Sequence, residues 1–187
     1  MSISSRNFST LNYPQPTLWY SCIMKSSILY LRTVIFGITD SLVSTVGLLA
    51  GLDVAGAPHR TLALTGIVYA FVEAFSMAVG NFLSEESAEE YVAGKEVGAR
   101  TAFGGGVAMF VVFVLASFIP IVPYLIFQDW VALASSIVLS IIALFIVGLL
   151  SGEVAHLPRL KRGIRMAILG GAAIIIGAAV GLVLPAN

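Results

Sequence analysis

Charge is scarce in this sequence, and the scarcity decides its class. Of 187 residues only 11% are Asp, Glu, Lys or Arg, while 58% are hydrophobic; soluble domains carry about 25% charged residues. A water-facing surface cannot be assembled from so few charges. Cysteine is nearly absent as well. Cys22 stands alone, which excludes an internal disulfide and any Cys-x-x-Cys metal or redox site. The two histidines, His59 and His156, lie far apart in connecting segments, so a histidine-based zinc site lacks its ligands. Net charge is zero and no basic stripe is present, which removes the electrostatic footprint of nucleic-acid binding.

What is abundant is uninterrupted apolar sequence. Five stretches stand out, from about Leu31 to Leu52, Leu62 to Leu83, Phe103 to Phe127, Trp130 to Leu150 and Arg165 to Leu184. Each is close to the ~20 residues a helix needs to cross about 30 Å of hydrocarbon. The expectation is an all-α polytopic membrane protein with five transmembrane helices. Short links after the first and third stretches make adjacent helices antiparallel neighbours. Every Lys and Arg except Arg60 then falls on the side of the N-terminus. The positive-inside rule puts that side in the cytosol and the C-terminus on the far side. Residues 1–30 hold Arg6, Lys25, many hydroxyl residues and no acid. They read as a disordered cytosolic tail, with a faint likeness to an organellar transit peptide as the alternative. Residues 31–187 form the membrane domain, with a short acidic cytosolic helical extension at 84–100.

Small residues mark the packing faces. Gly66, Ala70, Ala74 and Ala78 recur at every fourth position of the second span, with Gly47 and Gly51 in the first and Gly177 and Gly181 in the fifth. That spacing lets helix backbones approach closely in lipid, which supports a tight bundle and permits a dimer. Pro120 and Pro123 are expected to end or kink the third span near its outer end.

Two acids sit deep inside predicted spans: Asp40 in FGITDSLVS and Glu73 in FVEAFSMAVG. A charge at the bilayer centre costs roughly 2.5–3.5 kcal/mol on insertion scales, so the default reading is an ion site or proton relay. The plainer alternative is a protonated carboxyl bonded between helices. Glu73 and Met77 are four apart and share a helix face, which Asn81 continues; Asp40 and Ser44 pair likewise on the first span. Carboxylate, thioether, hydroxyl and amide donors together suit Fe²⁺ or Mn²⁺ better than Ca²⁺ or Cu⁺. Beyond Asn81, Glu85, Glu86, Glu89, Glu90 and Glu96 crowd together, either as a solvated helix face or as an acidic mouth that concentrates divalent cations.

At these residues the chain resembles the vacuolar iron transporter family. The motifs are FGITDSLVSTVGLLAGL, EAFSMAVGNFLSEESAEEY and, in support, IPIVPYL. The resemblance runs from about Arg32 to the C-terminus. It implies a five-helix homodimer exporting Fe²⁺ or Mn²⁺ from the cytosol in exchange for protons, along a path between subunits lined by the first two helices of each. By motif, Asp40 matches the family's first-helix aspartate and Met77 the methionine of its serine–methionine pair. Two departures stand out. The family's second-helix glutamate falls where this chain has Tyr69, while Glu73 lies one turn nearer the methionine. The glutamate-rich helical domain of plant members shrinks here to the segment after Leu83, with Glu86, Glu89 and Glu90 as candidate ligands.

The expected metal ligands are therefore Asp40, Glu73, Met77, Glu86, Glu89 and Glu90, and the path is lined by Asp40, Ser44, Glu73, Met77 and Asn81. Partners are a divalent metal ion, protons, the lipid bilayer and a second copy of the chain; no resident cofactor is expected. Two rivals remain. A non-transporting scaffold would use the buried acids only to join helices, and an exporter of a small organic cation would use the same carboxylates. An enzyme is not expected, since no intramembrane nucleophile–base pair or histidine cluster exists. The short acidic segment favours a microbial plasma membrane, with a vacuolar or plastid membrane as the alternative.

Overall fold

The computed structural model describes residues 18–94, 100–154 and 157–184. Five helices follow one another: α1 (Leu18–Val54), α2 (His59–Ala93), α3 (Arg100–Ile126), α4 (Asp129–Val154) and α5 (Arg159–Val183). All five are long and apolar enough to cross a membrane, and no strand occurs among the described residues. The reason is the solvent: lipid offers no hydrogen bonds, so each spanning segment must satisfy its backbone internally. The chain is an all-α integral membrane protein.

Two helices outrun the apolar stretches that predict them. Helix α1 begins at Leu18, although its membrane-length part is Tyr30–Val54. No Gly or Pro lies between Leu18 and Tyr30, so nothing breaks the helix where apolarity ends. The rest of the expected tail, residues 1–17, lies outside the described residues. Helix α2 continues through the glutamates to Ala93 and ends at Gly94, which adopts a left-handed φ of 64° and returns its N–H to Glu90 O. This is the usual glycine stop, available without a Cβ penalty. Glu96 and the rest of 95–99 lie outside the described residues.

The links are tight. After α1, Ala55 N–H bonds Gly51 O at 3.0 Å, Gly56 turns with φ 84°, and Pro58 accepts from Thr61 N–H at 2.8 Å to start α2. Between α3 and α4, Phe127 N–H bonds Pro123 O at 2.8 Å and Asp129 takes a left-handed φ of 55°. Of the two outcomes expected of Pro120 and Pro123, an end or a kink, the end does not occur; α3 runs on to Ile126 with both prolines buried. The Ser136 hydroxyl of α4 donates to Pro120 O at 2.8 Å, a polar tie between α3 and α4.

Helix α1 is the centre and touches all four others, while α2 rests mainly on α3 and α4 mainly on α5. The glycines decide these contacts. A Cβ built on Gly51 would lie 2.7 Å from Gly177 O, and one on Gly47 would lie 3.2 Å from Ala173 O. A Cβ on Gly177 or Gly181 would run into the backbone carbonyl of Gly47 or Gly51. The small-residue spacing of the first and fifth spans is thus used within the chain, to bring α1 against α5. Gly148 and Gly163 make a like contact between α4 and α5, at 2.6 Å from a built Cβ to the facing Cα. On α2 the ridge of Gly66, Ala70, Ala74 and Ala78 turns inward: Ala70 and Ala74 are fully buried, and Ala78 O lies 3.0 Å from a Cβ built on Gly106 of α3. A buried hydroxyl relay adds polar ties. Ser41 Oγ and Ser117 Oγ lie 2.7 Å apart, and both reach Phe113 O.

Gly177→Ala should lower the melting temperature of the detergent-solubilised protein by several degrees, since forcing a methyl into a filled contact costs about 1–3 kcal/mol. Gly171→Ala meets nothing within 4 Å and should melt unchanged or slightly higher, because alanine favours helix. Equal melting of the two variants would contradict the α1–α5 contact.

Candidate functional site

Helix α2 carries a column of functional side chains at four-residue spacing: Glu73, Met77, Asn81 and Glu85. Four residues is close to one helical turn, so the column winds down one face. Glu73, Met77 and Asn81 are each partly exposed, whereas Glu85 is buried. Across from its upper part, α1 presents Asp40, also partly exposed.

The two membrane-embedded acids stand on neighbouring helices, Asp40 on α1 and Glu73 on α2. Asp40 and Glu73 lie within each other's electrostatic reach, and the Tyr69 phenol is within reach of both. Tyr69 stands where the family resemblance places a glutamate, and Glu73 lies one turn further along α2. Ser44 behaves differently from expectation. Its hydroxyl donates to Asp40 O at 2.6 Å, a bond back onto its own helix, and its side chain lines the groove between α1 and α5. The Tyr69 phenol lies beside it. Ser44 therefore flanks the carboxylate pair and does not share a cavity with Met77.

Lower down, a cavity of about 450 Å³ opens between α1, α2 and α3. Met77 and Asn81 line it, as do Arg32, Thr33, Glu85 and Met109. Asn81 is the polar hinge of its wall: Thr33 Oγ1 donates to Asn81 Oδ1 at 3.4 Å, and Asn81 Nδ2 donates to Glu85 Oε1 at 3.0 Å. Glu86, Glu89 and Glu90, the glutamates expected to hold metal, are partly exposed and do not line this cavity. No three of His, Cys, Asp and Glu gather closely enough to hold a metal ion among the described residues. Within one chain the carboxylates come at most in pairs, with sulfur and amide donors beside them.

Glu85, Thr33 and Met109 are among the lining residues that a reading of the sequence does not assign to the path. For Glu85 the signal is present, because it is the next four-residue step after Asn81. It is obscured by the neighbouring glutamates, which make it look like one more solvated charge. Thr33 and Met109 carry no such signal, and only the packing of α1 and α3 around α2 brings them in.

The family model for the VIT family matches residues 31–103 and 93–182, nearly the whole membrane domain. The chain belongs to the VIT family. The vacuolar iron transporter resemblance of its motifs is thereby established. Membership assigns this VIT protein to membrane metal-ion transport, a family of transporters and not of enzymes. No curated protein matches the chain closely enough to add to this.

The cavity gives a direct test of the geometry. In a Cys22→Ser background, Met77→Cys and Ser76→Cys should react with a small charged thiol reagent, since both positions line the cavity. Ser117→Cys, fully buried between helices, should react at least about tenfold more slowly, as expected for a thiol out of water's reach. Equal labelling of all three by mass spectrometry would deny the cavity its access to water.

Proposed function

We propose that this chain is a proton-coupled exporter of Fe²⁺ or Mn²⁺, working as a homodimer with its N-terminus in the cytosol. What supports the reading is that Asp40 and Glu73 stand at membrane depth on α1 and α2, two helices in contact, and that both are only partly buried. Half-exposed acids facing hydrocarbon are strongly disfavoured. A second copy laid against the α1–α2 side would remove them from lipid and double the donors around the path. A bare protomer lacks three close carboxyl or imidazole ligands among its described residues, which is consistent with a site completed across two subunits.

The chemistry follows from competition. A carboxylate binds a divalent ion through lone pairs and negative charge, and a proton removes both. Metal arriving from the basic end of the bundle would pass Asn81 and Met77 to reach Glu73 and Asp40. Protons from the opposite side would neutralise those carboxylates and release the ion outward. The same carboxylates then hold metal or protons in turn, which is the minimum an antiporter requires. Thioether and carboxylate donors together favour Fe²⁺ and Mn²⁺ over Ca²⁺. Glu86, Glu89 and Glu90 would raise the local concentration of cations at the cytosolic mouth. A microbial plasma membrane fits the short acidic segment, with a vacuolar or plastid membrane as the other setting.

The test is flux into proteoliposomes holding the purified protein, with Fe²⁺, Mn²⁺ and Ca²⁺ offered with and without a pH gradient. Metal movement opposite to the proton gradient is expected for Fe²⁺ or Mn²⁺. Asp40→Asn should reduce it by at least about 100-fold, beyond the 10- to 100-fold effect of losing a supporting hydrogen bond at a metal site. Full flux in that variant would sink the mechanism. A folded wild-type protein that moves no metal would return the choice to an organic-cation exporter or a scaffold.

A further inference from the structure

Glu85 is the most confined acid of the α2 column, with only 8% of its surface exposed. Its Oε1 accepts from Asn81 Nδ2 at 3.0 Å, while its buried Oε2 has no hydrogen-bond partner among the described residues. Native proteins rarely bury a carboxylate oxygen unsatisfied, and such a group calls for an explanation. Here the surroundings make room for the charge and do not quench it. Gly105 of α3 faces the carboxylate, and a Cβ built there would collide with it. Arg32 lines the same cavity, yet no ion pair joins it to Glu85. Among the described residues no cation answers the Glu85 carboxylate, which leaves a place for a mobile one.

What else reaches the cavity narrows the kind of cation. The Asn81 amide touches Glu85, and the Ser84 hydroxyl and the Met109 thioether line the same cavity; Met77 lines it two turns further up α2. Hard oxygen and soft sulfur donors around one cavity select borderline divalent transition metals over Mg²⁺ or Ca²⁺, which prefer oxygen alone. We infer that Glu85, with Asn81 and Met109, forms a second divalent-metal stop at the basic end of the membrane path, distinct from the Asp40–Glu73 pair. Its place as a waiting position on a route rests on the transport reading above; its ability to bind metal does not. Two successive sites suit conduction, since an ion must be held firmly enough to enter and released readily enough to leave.

The experiment is equilibrium binding of Mn²⁺ and Co²⁺ to the full-length protein in detergent, with free Mn²⁺ read by electron paramagnetic resonance. Wild type should show two classes of site, and Asp40→Asn should retain the class that belongs to Glu85. Glu85→Gln should weaken that class by about tenfold or more, and Gly105→Ala, which crowds the carboxylate, should weaken it too. Unchanged stoichiometry and affinity in Glu85→Gln would overturn the inference, as would loss of all binding in Asp40→Asn. Should Glu85→Gln fail to fold, Met109→Leu serves in its place, because leucine keeps the volume and removes one sulfur. It should weaken Co²⁺ at the same class and leave Ca²⁺ binding unaltered; unchanged Co²⁺ binding would overturn the site as described. The two readings fail separately. Metal bound at Glu85 in a protein with no flux would end the transport reading and keep the site, whereas normal flux with no Glu85 class of binding would do the reverse.

Discussion

Where Gly51 of α1 meets Gly177 of α5, two helix backbones approach with no side chain between them. In lipid there is little hydrophobic gain from joining helices, so close packing of this kind supplies the attraction. The α1–α5 seam, with the α1–α3 contact, sets how α1 is rotated in the bundle, and so which way its Asp40 side faces. The inward ridge of α2 acts in concert: Ala70 and Ala74 bury themselves and hold Glu73 at an angle where it is half exposed. Packing residues that touch no ion thus determine where the ion-binding residues stand.

Much of this is legible in the sequence, for physical reasons that can be named. The five spans are visible because lipid demands long apolar runs and leaves no other way to satisfy a backbone. The pair Asp40 and Glu73 is visible because a charge at that depth needs a purpose. Met77 and Asn81 follow from the helical period. The extent of α1 is less legible: apolarity marks where hydrocarbon ends, and helix can continue beyond it from Leu18 to Tyr30. The prolines of α3 leave its end open on a local reading, since whether a helix continues past proline depends on its packing, and here both prolines are buried.

Glu85 shows most clearly where sequence reasoning runs out. In the string SEESAEEY it is indistinguishable in kind from Glu86, Glu89 and Glu90, and the exposed members of that set follow the usual rule that charges stay in water. What separates it is a missing methylene-sized volume on α3, at Gly105, and a hydrogen bond from Asn81 one turn away. The first is a tertiary fact. Conversely, Ser44 looks like a partner for Asp40 on spacing alone, yet its hydroxyl satisfies a backbone carbonyl of its own helix, a local choice always open to serine.

The length of α2 carries a mechanical consequence. Its 35 residues make a rod of about 52 Å at 1.5 Å per residue, well beyond the ~30 Å of hydrocarbon. Glu73, Met77, Asn81, Glu85 and the glutamates up to Glu90 all ride on this one unbroken shaft. It acts as a lever. With Glu73 as pivot, Glu90 lies about 26 Å down the axis, so a tilt of about 5° swings it sideways by about 2 Å. A tilt about Glu73 therefore moves the acidic tip by several times more than it moves Met77, one turn from the pivot.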